Sequence, residues 1–169
     1  MVKIIYAGYS KCGTTTIAQA FRSINYKVYD YEEVILYHAA DWIKYWDADN
    51  YSLEERRKHL RNMFKDIDVV TDSPHYFYWR ELLDAFPDAK VIFWERPEQP
   101  WLKSMVKQIE SITESVLKPD IICDIFKPFS ALMREKLKFN AYLMPIMIGS
   151  TPFYMKKLTG KTSKINEIK

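Results

Sequence analysis

Near the start of the chain, the hydrophobic positions change from one spacing to another. Residues 4–7 (IIYA) form a short apolar run that stops at Gly8, whereas Ile17, Phe21 and Ile24 recur at the spacing of one helix face. This pattern predicts a buried strand, a tight glycine-bounded loop and an amphipathic helix whose apolar side packs back on the strand.

The same alternation of strand and helix patterns continues through the first two-thirds of the chain. Apolar or alternating runs predict further strands at 26–30, 67–72 and 90–95. Helical spacing predicts helices at 32–46, 53–64, 76–86 and 100–112. Strands that alternate with helices predict an α/β fold of three layers, in which helices flank a central parallel sheet joined by right-handed crossovers.

Several of these elements carry boundary signals. Ser52 and Glu55 form a capping box that opens one helix. Pro74 suits the first turn of another helix and Ser73 suits its cap. The run at 90–95 (KVIFWE) is almost continuously apolar, which is typical of a strand buried on both faces of a sheet.

The loop between the first strand and helix has the composition of an anion site. Residues 8–15 (GYSKCGTT) bring consecutive backbone N–H groups and a helix N-terminus together. A Walker loop ends in Gly-Lys-Ser/Thr, where the hydroxyl holds magnesium. Here Thr14 follows Gly13 and the lysine is Lys11, so we expect an anion and no metal.

Three predicted strands each end on a charged residue. Lys11, Asp72 and Arg96 follow the first, third and fourth strands, and ligands of open parallel sheets bind beyond the carboxyl ends of the strands. Ser104 lies eight residues after Arg96, early in the next predicted helix. We therefore expect these residues to share one site at this edge of the sheet.

Composition and charge limit the classes of protein. The chain has 169 residues, 48% of them hydrophobic, which suits a single domain over 1–169. Its net charge of +3 comes from scattered charges, which excludes a nucleic-acid stripe or a polybasic membrane tract. Two cysteines, Cys12 and Cys123, favour a reducing compartment, and the opening run is too short for a signal peptide. We expect a cytoplasmic protein.

Residues 9–15 (YSKCGTT) resemble the 5′-phosphosulfate loop of the P-loop sulfotransferases, which has an aromatic-Pro-Lys-Ser-Gly-Thr-Thr pattern. The chain differs from that pattern at two positions, with Ser10 in place of proline and Cys12 in place of serine or threonine. Residues 71–74 (TDSP) and 86–92 (FPDAKVI) resemble the small single-domain branch of that family, which has an Asp-x-Pro aspartate. The similarity runs from about residue 2 to about residue 108. It implies the P-loop fold.

The resemblance also implies a reaction: transfer of a sulfuryl group from 3′-phosphoadenosine 5′-phosphosulfate (PAPS) to a hydroxyl or amine of a small-molecule acceptor. Asp72 is the expected general base and His75 the second candidate, while Lys11 stabilises the leaving phosphate. Arg96 and Ser104 would hold the 3′-phosphate. The 5′-phosphosulfate would lie on the loop residues Ser10, Lys11, Cys12, Gly13, Thr14, Thr15 and Thr16.

Other interpretations stay open at this point. Residues 69–72 (VVTD) also suit the magnesium site of an ATP-dependent small-molecule kinase, and a non-catalytic nucleotide-binding relative is a third hypothesis. Cys12 at a helix N-terminus is a candidate for a lowered pKa, but a tyrosine phosphatase needs an arginine where Ala18 stands.

The last third of the chain is less informative. From about residue 113 it reads as helical, and we interpret it as a lid or a pocket wall. The nearly uncharged stretch 139–155 is too short and too rich in proline for a membrane span. It suits a buried helix, a wall of the acceptor pocket or a homodimer contact.

Overall fold

The computed structural model of the protein describes residues 1–48 and 50–117. Its centre is a parallel sheet of four strands in the order β2-β3-β1-β4. The strands are short: β1 Ile4–Tyr6, β2 Val28–Tyr29, β3 Val69–Val70 and β4 Lys90–Ile92. The predicted α/β class and the parallel sheet are confirmed.

Helices follow each strand. They are α1 Thr14–Ser23, α2 Tyr31–Glu33, α3 Ala39–Trp46, α4 Leu53–Met63, α5 Trp79–Ala85 and α6 Glu98–Leu117. A π-helical segment, Val34–His38, joins α2 to α3, so residues 31–46 run as one helical stretch. The predicted helix at 32–46 agrees with this stretch to within one residue at its start and ends at the same residue.

The two faces of the sheet carry separate apolar clusters because side chains alternate along each strand. Val28 and Val69 are paired in register and pack with Ala18 of α1 on one face. Ile5 and Val70, paired on the other face, belong to the larger core. The sheet therefore lies between α1 on one face and α3, α4 and α5 on the other, which gives the three predicted layers.

Aromatic side chains dominate the larger core. Trp42 and Phe64 are fully buried, and so is Leu82 of α5. Truncating a buried aromatic residue of this size to alanine costs about 3–5 kcal/mol. This face of the sheet supplies much of the stability that holds the strand ends in place.

The predicted capping box is confirmed. The Ser52 hydroxyl accepts from the backbone N–H of Glu55, and the Glu55 carboxylate accepts from the backbone N–H of Ser52. A second capping box, which we did not predict, opens α2, with Asp30 as the N-cap and Glu33 as its partner.

The start of α5 differs from the prediction. Residues 74–78 form turns and the helix begins at Trp79, so Ser73 and Pro74 do not cap it. The Ser73–Pro74 peptide bond is cis. The Ser73 hydroxyl lies 3.1 Å from that of Ser10, so it faces the loop and not the N–H groups of a helix. A tertiary contact replaces the local one here.

The prediction that residues 90–95 are buried on both faces is wrong. Only Lys90–Ile92 form the strand, and Val91, Phe93 and Trp94 are exposed. Within the described residues β4 lies at the edge of the sheet and pairs only with β1. The apolar side chains of this run are typical of a central strand, but the edge position leaves them exposed.

No helix in the described ranges is long and apolar enough to cross a bilayer. The predicted helix at 100–112 is part of the longer α6. The expectations for the C-terminal part, including the stretch 139–155, fall on residues 118–169 and lie outside the described residues.

Candidate active site

The loop between β1 and α1 adopts a backbone that depends on glycine at two positions. Gly13 has φ of 85° and directly precedes α1. A Cβ on Gly8 would lie 2.7 Å from the ring of Tyr6. That ring must approach closely because the Tyr6 hydroxyl donates to the Cys12 carbonyl at 2.7 Å. Lys11 has φ of 68°, a left-handed conformation that is uncommon outside glycine.

Asp72 is the carboxylate around which the loop is assembled. Its Oδ1 accepts from the Ser10 hydroxyl and from the backbone N–H of Ser73, the latter at 2.7 Å. Its Oδ2 accepts from the Thr14 hydroxyl at 2.8 Å. Asp72 also has positive φ, 59°. The end of β3 is thereby tied to both sides of the loop and to the first residue of α1.

The segment at the start of α6 closes the other side of the loop. The Arg96 guanidinium donates to the Lys11 carbonyl at 2.9 Å, and the Trp101 indole donates to the Ser10 carbonyl at 3.0 Å. Both contacts span more than eighty residues of sequence. They bring the arginine that follows β4 against the lysine that follows β1, as the strand-end argument predicts.

A cleft of about 570 Å³ opens over these strand ends. It brings together seven of the residues that the sequence predicts for the site, namely Lys11, Gly13, Thr14, Thr15, Asp72, Arg96 and Ser104. The same cleft is lined by seven residues to which we had assigned no role, namely Gln19, Arg22, Asp30, Tyr31, Glu32, Glu33 and Gln108.

Four predicted site residues lie outside this lining. Ser10 is buried, and its hydroxyl is bonded to Asp72 and Ser73. Thr16 is exposed on α1. Cys12 is buried, and burial raises the pKa of its thiol, opposite to the lowered pKa that a helix N-terminus suggests.

His75, the second base candidate, is completely buried. Its Nδ1 donates to the Thr71 carbonyl at 2.6 Å, and its ring packs against Phe64 and Trp42. Burial lowers the pKa of His75 to about 4. Its Nε2 has no hydrogen-bond partner in the described structure. The residue supports β3 from beneath the cleft.

Asp30 is the carboxylate that sequence reasoning passed over. It follows β2, caps α2, and accepts from the Tyr31 N–H at 2.9 Å and the Thr71 hydroxyl at 3.2 Å. Burial raises the pKa of Asp30, and the negative charge of Asp72 raises it further. Its position after a strand was the available signal, since the same argument selected Asp72.

The two ends of the cleft differ in charge. Lys11 and Arg96 lie at the loop, which favours an anion, whereas Asp30, Glu32 and Glu33 follow β2, and Glu33 is paired with Arg22. Among the described residues, no group of three or more His, Cys, Asp or Glu side chains could hold a metal ion. The arrangement suits a polyanionic ligand at the loop and a neutral or cationic group near β2.

Comparison with known proteins gives the family of the chain. The family model described as a sulfotransferase domain matches residues 3–164. The chain therefore belongs to the sulfotransferase domain family. It is also similar to Ava biosynthesis cluster protein M of Aspergillus versicolor, with 25% identity over 178 aligned residues that cover 99% of this chain and 67% of that protein.

Proposed function

We propose that the protein transfers a sulfuryl group from PAPS to a hydroxyl or amine of a small-molecule acceptor. The observation that carries this proposal is the single cleft shared by the Lys11 loop, the Asp72 carboxylate and the Arg96–Ser104 pair. A donor with phosphates at both ends of its ribose needs two anion sites within one cleft. Family membership supports sulfotransfer as the class of reaction.

The residues present fit such a donor. Lys11 and the Thr15 hydroxyl line the loop end, where α1 begins, and would hold the 5′-phosphosulfate together with the backbone N–H of Thr14, whose hydroxyl donates to Asp72. Arg96 and Ser104 line the α6 side and would hold the 3′-phosphate through a guanidinium and a hydroxyl. When bound, PAPS supplies the activated sulfuryl group.

Catalysis of a loose sulfuryl transfer rests on positioning and on charge stabilisation, as in phosphoryl transfer. Lys11, with the loop N–H groups, would stabilise the negative charge that grows on the leaving phosphate. Its left-handed backbone and its carbonyl contact with Arg96 fix where the side chain begins. Lys11 is therefore the proposed electrostatic catalyst.

Asp72 is the proposed general base. A carboxylate offers about four acceptor positions, and three on Asp72 are taken by Ser10, Ser73 and Thr14. The position left on Oδ2 is available for the proton of an acceptor hydroxyl or amine. Asp72 lines the cleft, whereas His75 is buried and outside the lining, which favours Asp72.

An ATP-dependent kinase is the alternative that the sequence left open. In a Walker loop the lysine follows the second glycine, whereas here Lys11 stands before Gly13. This observation favours the sulfotransferase over the kinase.

The remaining parts of the proposal are less specific. We propose a small-molecule acceptor, which the name of the relative, a biosynthesis cluster protein, supports. We also propose a single domain over 1–169, a cytoplasmic location consistent with two cysteines, and a homodimer.

Thermal melting with two ligands tests the proposed function. The desulfated donor, 3′-phosphoadenosine 5′-phosphate (PAP), should raise the melting temperature, and ATP with Mg²⁺ should not. Stabilisation by ATP with Mg²⁺ alone would instead establish the kinase. As a matched control, Lys11→Ala should lose the PAP effect, while Lys107→Ala, an exposed lysine on α6, should retain it.

Activity is then measured with ³⁵S-labelled PAPS and a panel of phenols, alcohols and primary amines. Labelled product from any member of the panel supports transfer. Tight binding of PAP with no product from any acceptor class would support the third hypothesis, a non-catalytic nucleotide-binding relative.

A further inference from the structure

Gln108 is a cleft residue whose amide oxygen has no hydrogen-bond partner in the part of the chain that the structure describes. It lies on α6, four residues after Ser104, so the two side chains share one face of the helix. Its Oε1 is buried and has no donor among the described residues. A buried acceptor without a donor costs about 1–3 kcal/mol, so a ligand that supplies a donor there would recover that free energy.

The position of Gln108 relative to Ser104 limits what the ligand group can be. Four residues of helix span about 6 Å. On the proposed function, on which this step rests, Ser104 contacts the 3′-phosphate of the donor. The nucleobase is attached to the same ribose as that phosphate, so the base is the part of the donor that can lie one helical turn away.

The chemistry of the side chain selects among the groups of the donor. A primary amide presents an acceptor and a donor side by side, and glutamine pairs with adenine through its 6-amino group and the adjacent ring nitrogen. A ribose hydroxyl uses only one of the two amide groups. The unpaired Oε1 calls for a donor, which the 6-amino group supplies and a phosphate does not.

We propose that Gln108 recognises the adenine of the donor, with Oε1 accepting from the 6-amino group and Nε2 donating to the neighbouring ring nitrogen. Gln108 is then the residue that makes the site selective for an adenine nucleotide. On the proposed function, the loop, Arg96 and Ser104 would contact only phosphates, which every nucleoside 3′,5′-bisphosphate carries.

The test compares two ligands that differ at the recognised group. Isothermal titration measures the affinity for adenosine 3′,5′-bisphosphate and for inosine 3′,5′-bisphosphate, in which an oxygen replaces the 6-amino group. The unaltered protein should prefer the adenosine ligand about 10-fold or more, the discrimination typical of one bidentate amide–adenine pair. Gln108→Leu should bring this ratio close to one.

Two further variants separate recognition from a general loss of structure. Gln99→Leu, an exposed glutamine on the same helix, should keep the adenosine preference. Gln108→Met keeps the length of the side chain but has no amide, so its adenosine preference should be lost even if the leucine variant does not fold.

Each outcome supports or overturns a defined claim. An unchanged adenosine-to-inosine affinity ratio in Gln108→Leu overturns the adenine assignment. Gln19 is the other glutamine of the cleft. If Gln19→Leu loses the preference and Gln108→Leu keeps it, the assignment is likewise overturned. A third ligand, 2′-deoxyadenosine 3′,5′-bisphosphate, tests the ribose. If Gln108→Leu loses the preference for adenosine over this ligand but keeps the preference over inosine, Gln108 contacts the ribose instead. Failure of the unaltered protein to bind either bisphosphate would overturn the proposed function itself.

Discussion

The two walls of the cleft are built in different ways. On the loop side, the Asp72 carboxylate accepts three hydrogen bonds from the protein. On the α6 side, within residues 1–48 and 50–117, exposed Arg96 and Trp101 each donate to a loop carbonyl, and the Gln108 oxygen has no donor. The loop side is thus preorganised by the chain, while the α6 side gains partners from the ligand. Changes to Asp72 on the first wall should alter rate more than affinity, and changes on the second wall should alter affinity.

The largest effect is expected from breaking the loop side at Asp72. Asp72→Asn keeps one acceptor oxygen but cannot take a proton, so turnover should fall by about 10²–10⁴-fold and PAP affinity by much less. Single-turnover transfer from ³⁵S-labelled PAPS, beside titration with PAP, measures both. Asp88→Asn, an exposed carboxylate, is the matched control. Near-normal turnover in Asp72→Asn would remove the base assignment.

Lowering the pH should reduce the free energy of unfolding through His75, which packs in the core next to β3. In the unfolded chain His75 binds a proton near pH 6.5, whereas its pKa in the fold is about 4. The unfolded state therefore binds more protons between these values, and stability falls as the pH is lowered through that window. The loss should reach about 3 kcal/mol near pH 4.

Urea unfolding at several pH values from 7 to 4 measures this loss. His75→Asn places an amide donor near the Thr71 carbonyl without a titratable group, and its stability should depend less on pH over the same window. An equal slope in the variant and the unaltered protein would assign the acid sensitivity to other groups.

On the α6 side, Arg96→Ala should distinguish the contribution of the 3′-phosphate to binding from that of the 5′-phosphate. A charge-assisted hydrogen bond contributes about 1.5–3 kcal/mol, so PAP affinity should fall about 10- to 100-fold. Affinity for 5′-AMP, which lacks the 3′-phosphate, should hardly change. Lys11→Ala provides the contrast, because it should weaken both ligands. A loss of 5′-AMP binding in Arg96→Ala would mean that the arginine acts by holding the Lys11 carbonyl.

The smallest expected effect concerns Asp30, beside the loop side. Its raised pKa means that ionisation of the buried carboxyl is unfavourable, so its contribution to stability is present at low pH and is lost as the pH rises through that pKa. Asparagine caps helices as well as aspartate does. Asp30→Asn should therefore raise the melting temperature at pH 7 by about 1–3 °C, and not at pH 3.

Differential scanning calorimetry at the two pH values decides this prediction. Because Asp30 lines the cleft beside Asp72, turnover should also fall in the variant that is more stable. A lower melting temperature at pH 7 would show that the carboxylate is required for the cap of α2.

The loop and the strand ends were predictable because their signals are local. The apolar run before Gly8, the helical spacing after Gly13 and the short distance between them indicate a strand, a loop and a helix. Parallel strands end at one edge, so Lys11, Asp72 and Arg96 could be expected together before any contact was known.

The errors arose where distant residues compete with local preferences. Ser73 has the sequence context of a helix cap, yet its hydroxyl lies against Ser10, sixty-three residues away in the chain. Residues 90–95 have the composition of a central strand, but the order of the sheet places β4 at its edge among the described residues. The contact between Ser73 and Ser10 and the order of the strands both depend on distant residues, so a window of neighbouring residues cannot predict them.

By itself, the sequence determined the alternation of strands and helices, the glycine-bounded loop and the charged residues that follow the strands. These depend on periodicity, backbone conformation and residue type, all of which act over a few residues. Only the tertiary structure decided that His75 is buried, that Asp72 is bonded to the loop, and that Asp30 and Gln108 face the same cleft. Burial and hydrogen-bond partners depend on which distant segments meet, and those determine the chemistry of each side chain.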